Sequence, residues 1–104
     1  IQYLNDSETI HLIEKIHGWL KPDGILFIGD IPDRKRIWKF YNTLERRSMY
    51  IHNLKNQTPI IGNWFTEEFF NAIGEAVGFS DSEFLLQPTG HLYSTFRFDH
   101  KFVK

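Results

Sequence analysis

The chain has 104 residues, 41% of them hydrophobic and 24% charged, with a formal net charge of −1. That length bounds it to one domain or part of one, and the charge balance excludes a generally basic nucleic-acid binder. The absence of cysteine excludes a disulfide framework and a thiolate metal site and fits a cytoplasmic protein, and no apolar run approaches the ~18 residues of a membrane span.

Ile1–Leu4 is too short to classify. Asn5, Asp6 and Ser7 are all good N-cap residues, and Glu8 stands three after Asn5, as in a capping box. The helix expected to follow, about Ser7–Leu20, carries Ile10, Ile13, Ile16, Trp19 and Leu20 on one side. Pro22 ends it, and Asp23-Gly24 is a turn pair in which Gly24 can take positive φ without steric cost. Ile25-Leu26-Phe27-Ile28 is a continuous apolar run, which predicts a strand covered on both faces. Gly29-Asp30-Ile31-Pro32 closes it, since Pro32 cannot donate to a central ladder. In open α/β sheets ligands sit beyond the carboxyl ends of the strands, which is where Asp30 falls.

Asp33–Leu54 reads as a second helical region, with Ile37, Tyr41, Leu44 and Ile51 at helical spacing. Lys55–Asn63 reads as a loop. Thr66 is placed to cap a third helix, with Glu67 and Glu68 at its positive end and Phe69, Phe70, Ile73 and Val77 as its buried stripe. Gly78 stands where a left-handed cap is wanted. Ser80-Asp81-Ser82 and Pro88-Thr89-Gly90 read as turns, Glu83–Gln87 as a strand, and Leu92–Val103 as an alternating strand. The 16% aromatic content, with ten Phe, implies an aromatic core or an apolar surface that expects a partner.

Taken in order, four stretches resemble the C-terminal half of a class I S-adenosylmethionine-dependent methyltransferase. They are Ile1-Gln2-Tyr3-Leu4-Asn5-Asp6, Trp19-Leu20-Lys21-Pro22-Asp23-Gly24, Trp64-Phe65-Thr66-Glu67-Glu68 and Glu75-Ala76-Val77-Gly78-Phe79. They match the family's "YLxD" segment after the fourth strand, its "LKPGG" turn into the fifth, the capped start of the next helix, and that helix's "AGF" end. Asp23 departs from the usual first Gly and Val77 from the usual Ala. The family's glycine-rich loop has no counterpart here. The resemblance therefore implies that residues 1–104 are the C-terminal fragment of one methyltransferase domain, lacking the N-terminal cofactor-binding strands. The implied fold is α/β: the C-terminal part of a Rossmann-like sheet, three strands with three helices, the last strand antiparallel between the other two.

The resemblance puts Gln2 and Tyr3 near the methionine end of S-adenosylmethionine, which the upstream half would mainly bind; alternatively Tyr3 packs on the first helix. Asp30 is a candidate proton acceptor, or else a cap for the next helix, a role for which Asp33 competes. The basic face Arg34–Arg47 holds six of the twelve Lys and Arg. Arg34 and Arg36 are candidates for an anionic substrate, because Arg presents a bidentate fork, although a solvated face has the same pattern. Trp38 and Tyr41, with Tyr50, line a pocket or pack in a core. His52 falls where the family builds substrate lids and is a candidate general base. His91 and His100 read as turn or strand-surface residues, and the histidines show no metal spacing. The expected function is methyl transfer to a small-molecule or sugar-type acceptor, the fragment alone being inactive. The rival is a non-catalytic α/β module whose basic helix docks an acidic partner. The outer edge of Ile25–Ile31 is expected to be covered by a second copy of the chain (a homodimer), by an upstream segment or by Ile1–Leu4.

Overall fold

The computed structural model describes residues 1–58, 62–91 and 93–104. Helix α1 spans Asp6–Trp19. Asn5 caps it: its Oδ1 accepts from the Glu8 N–H at 2.8 Å, and the Glu8 carboxylate accepts from the Asn5 N–H at 3.0 Å. Both bonds satisfy donors that a helix start otherwise leaves without partners. At the other end the Lys104 ammonium donates to the His17 and Leu20 carbonyls at 2.6 and 2.7 Å. A cation thus sits on the negative end of the helix, and the last residue is tied to the first helix.

Strand β1 follows at Ile25–Pro32. The turn before it differs from the expectation: Asp23 takes the positive φ, at 65°. Gly24 is needed for space instead, because a Cβ there would lie 2.8 Å from the Lys21 carbonyl oxygen. Strands β2, Asp81–Leu86, and β3, Arg97–Val103, complete a sheet of order β1-β3-β2. Strand β3 is antiparallel to both neighbours, so β1 and β2 run parallel to one another. The placement of the last strand between the other two is as expected. Its extent is shorter, since residues 93–96 form turns rather than strand. Leu92, Pro59, Ile60 and Ile61, parts of the expected strand and loop, lie outside the described residues. Strand β2 also begins two residues earlier than the expected Glu83, so Asp81 and Ser82 are strand rather than turn.

The expected second helix is three pieces. A 3-10 turn at Arg34–Arg36 leads into α2, Ile37–Phe40, and α3 restarts at Leu44–Lys55 under a Thr43 cap. Tyr41 breaks the run, with φ −84° and ψ 69° outside the helical region. Helix α4, Glu67–Val77, has the expected Thr66 cap and ends at Gly78, whose φ of 104° is a left-handed conformation. There are therefore four helices among the described residues, not three.

The core lies on one face of the sheet. Phe98, Phe102 and Ile31 from the strands meet Ile13 of α1, Phe70 and Ile73 of α4, and Phe65 and Phe79 on either side of α4 in sequence. Gly74 lets α4 approach closely: a Cβ there would meet the Phe102 ring at 3.1 Å. The expectation of a strand covered on both faces is overturned. Leu26 and Ile28 pack on the core, whereas Ile25 and Phe27 are 57% and 55% exposed. Alternation, not a continuous run, is what the pleat imposes on a sheet with helices on one side. His100 is also not at the surface. It is fully buried against Phe70 and Phe102, with ring centroids 5.6 and 4.8 Å apart.

Strand β1 is an outer strand of the sheet. Beyond its end the Phe65 N–H donates to the Pro32 carbonyl at 2.9 Å and the Phe65 carbonyl accepts from the Arg34 N–H at 2.8 Å. That pairing covers the last part of the β1 edge. Among the described residues no helix is long and apolar enough to cross a membrane.

Candidate functional site

The end of β1, the breaks around α2 and the approach to β3 converge on an aromatic cluster. Phe40 lies 5.6 Å from Trp64 and 5.2 Å from Phe96, centroid to centroid, and Tyr41 lies 6.1 Å from Trp64. Tyr50 of α3 stacks on Tyr41 at 4.4 Å, with planes 7° apart. These contacts explain the break at Tyr41: leaving the helix lets Phe40 and Tyr41 face the same cluster, and aromatic pairs contribute about 0.5–1.5 kcal/mol each beyond area burial.

A cavity of about 210 Å³ opens in this cluster, lined by the Phe40, Tyr41, Trp64 and Phe96 rings and by Gln2, Tyr3, Pro32, Gly62, Asn63 and Arg97. Two devices shape it. Asn63 pins the N-terminal segment: its N–H donates to the Gln2 carbonyl, and its side-chain amide donates to the Leu4 carbonyl and Asp6 Oδ1. Arg36 fixes the other wall. Its Nε donates to Asp33 Oδ2 at 2.8 Å, and its Nη1 and Nη2 donate to the Ser94 and Arg97 carbonyls at 2.9 and 2.7 Å.

Arg97 is the charged residue at the cavity. Its guanidinium lies over the Tyr93 ring, 4.4 Å from the centroid, and 5.7 Å from that of Phe96. Its Nε is buried and has no hydrogen-bond partner among the described residues. No carboxylate among the described residues pairs with it. Burial, with Tyr50 adding to it and Trp64 opposing more weakly, holds the Tyr41 hydroxyl above its ordinary value, so it stays a neutral phenol at pH 7.

A second, polar cavity of about 540 Å³ shares Tyr3, Gly62 and Asn63 with the first and is lined further by Leu4–Glu8. Its carboxylates, Asp6 and Glu8, accept from the neutral donors Asn63 and Asn5.

The structure thus brings Gln2, Tyr3 and Tyr41 together. Arg34 and Trp38 line an adjoining cavity of about 350 Å³ that shares Gly62, Asn63 and Trp64 with the first. Arg36 is internal, spent on Asp33 and two carbonyls. Asp30 lies elsewhere: it forms a one-residue bulge between Ile28 and Ile31, with φ 54°, and accepts from the Gln87 amide at 2.6 Å. It caps nothing; Asp33 caps the 3-10 turn by accepting from the Lys35 N–H. His52 is exposed on α3 beside the Asn56 amide and lines none of these cavities. The basic stretch is also partly neutralised, since Lys35 pairs with Glu67 and Glu68 of α4.

Sequence reasoning missed Phe40, Asn63, Phe96 and Arg97 as cavity residues. The available signal was aromatic density in two separate segments, Phe40-Tyr41 before α3 and Trp64-Phe65 after the predicted loop. Among the described residues no cluster of three His, Asp or Glu is placed to hold a metal ion. Fold and site define a mixed α/β protein with an aromatic cavity at the end of its first strand. No protein-family model matches the chain, and no curated protein matches it.

Proposed function

We propose that the chain is the C-terminal, substrate-side part of a cytoplasmic class I S-adenosylmethionine-dependent methyltransferase domain acting on a small molecule or sugar-type acceptor. The observation that carries this reading is the sheet order β1-β3-β2, in which an antiparallel last strand lies between two parallel strands. It accords with what the four sequence stretches imply. The cavities support it further: Gln2 and Tyr3 border the aromatic cavity that Tyr41 also lines.

The acceptor set in the adjoining polar cavity suits the amino-acid end of the cofactor. Asp6 and Glu8 carry negative charge that neutral N–H partners do not cancel, which fits an ammonium group. Tyr3 would stand between the two cavities. Bound S-adenosylmethionine would supply an electrophilic methyl group. The chain's own part is to orient the acceptor between Tyr41 and Trp64 and to exclude water with Phe40 and Phe96, since alignment supplies much of the rate in such a displacement. The outer edge of β1 would pair with an upstream strand or a second copy of the chain, and the exposed Ile25 and Phe27 face would take a further layer.

The test is calorimetric titration of S-adenosylmethionine into the complete protein and into residues 1–104 alone. Micromolar binding is expected for the first and none for the second. A complete protein without a glycine-rich loop and without binding would refute the enzyme reading; micromolar binding to residues 1–104 alone would refute the resemblance behind it.

A further inference from the structure

The aromatic cavity carries a statement about its ligand. Four rings wall it, so an apolar, flat body is favoured, because stacked and edge-on ring contacts reward planar aromatic guests. An aromatic cage is also the usual receiver of a cation through the ring faces. Here a cation already stands beside the cavity. The Arg97 guanidinium covers the Tyr93 face and flanks Phe96. A cationic guest would meet a positive charge that no carboxylate among the described residues pairs with.

Arg97 itself is incomplete. Its Nε is closed off from the cavity, no carboxylate among the described residues pairs with its guanidinium, and the outer Nη nitrogens are the ones a ligand can reach. Its near neighbour Arg36 is satisfied by Asp33, so it neither needs nor offers the same charge. What the site lacks is one anionic acceptor at the edge of an aromatic slot. A carboxylate matches a guanidinium in the shared plane and supplies the missing acceptor. The volume of about 210 Å³ limits the guest to one or two rings.

We infer that this cavity binds a small planar aromatic carboxylate, its ring between Tyr41, Trp64 and Phe96 and its carboxylate on Arg97. That this acid is the methyl acceptor rests on the methyltransferase reading; its binding does not.

The test is calorimetry on the complete protein with three one-ring probes of similar size: benzoate, benzamide and benzylammonium. Benzoate is expected to bind about tenfold more tightly than benzamide, the usual margin of a charge-assisted over a neutral hydrogen bond, and benzylammonium most weakly. Arg97→Met should bring benzoate down to the benzamide level, and Arg97→Lys should fall between, keeping the charge without the fork. Equal affinity for benzoate and benzamide, no benzoate binding at millimolar concentration, or a preference for benzylammonium would each overturn the inference, and these comparisons need only the unmodified protein. S-adenosylmethionine is titrated in parallel. Its failure to bind while benzoate binds through Arg97 would remove the methyltransferase reading and leave the acid site standing.

Discussion

Lowering the pH should destabilise this protein through one side chain, His100. It is fully buried on β3 between Phe70 and Phe102, and neither ring nitrogen has a hydrogen-bond partner among the described residues. Burial pushes its pKa from 6.5 to about 4. The unfolded chain therefore takes up a proton near pH 6.5, whereas the folded protein resists until about pH 4. Between those values the unfolded state binds more protons, so stability rises with pH. The contribution is fully present above pH 6.5 and is lost as pH falls toward 4. At 1.36 kcal/mol per unit the interval amounts to about 3 kcal/mol, a large part of the 5–15 kcal/mol that holds a typical domain together. His100→Leu keeps a similar volume and removes both the titration and the unpartnered nitrogens. Urea unfolding followed by far-ultraviolet circular dichroism at pH 7.5, 5.5 and 4 measures both proteins. The variant should be at least as stable as the parent at pH 7.5, with its advantage growing by about 3 kcal/mol by pH 4. The carboxylates and the other histidines are present in both proteins and cancel in the difference. Stability curves that stay parallel from pH 7.5 to 4 would refute the claim that His100 is held neutral by burial.

Two further substitutions test the packing. Arg36→Met leaves Asp33, 8% exposed at its side chain, without its partner and frees the Ser94 and Arg97 carbonyls; removing one member of such a buried pair should cost about 3–5 kcal/mol in urea unfolding, and a loss below ~1 kcal/mol would contradict the geometry. Gly74→Ala trades about 1 kcal/mol of helix propensity for a Cβ 3.1 Å from the Phe102 ring. The overpacking should win and lower the melting temperature, and a rise would show that α4 moves away from the sheet freely.

Much of this fold is written locally. Asn5 with Glu8, Thr66 before an acidic turn, and Gly78 after Val77 are decided by backbone donors, dipoles and steric freedom within a few residues, so they are legible in the chain alone. The strands' existence follows from composition in the same way. Which face of β1 is covered does not. Ile25 and Phe27 are as apolar as Leu26 and Ile28, and only the side on which α1 and α4 dock separates them. The histidines make the same point. His91 lies exposed in its turn, but the sheet register aligns His100 with Ile28 and Phe84, turning its ring into the core.

The candidate site divides along the same line. Gln2, Tyr3 and Tyr41 border the cavity; the first two were singled out through a family resemblance and Tyr41 as an aromatic that lines a pocket or packs in a core. Arg97 was not, because in sequence it is one polar residue of an alternating strand. Its cavity exists only because Arg36, 61 residues earlier, donates to its carbonyl while Phe40, Trp64 and Phe96 arrive from three separate segments. Short-range hydrogen bonds and sterics determine the elements; burial and unpaired charge depend on long-range contacts, and those are a property of the tertiary structure alone.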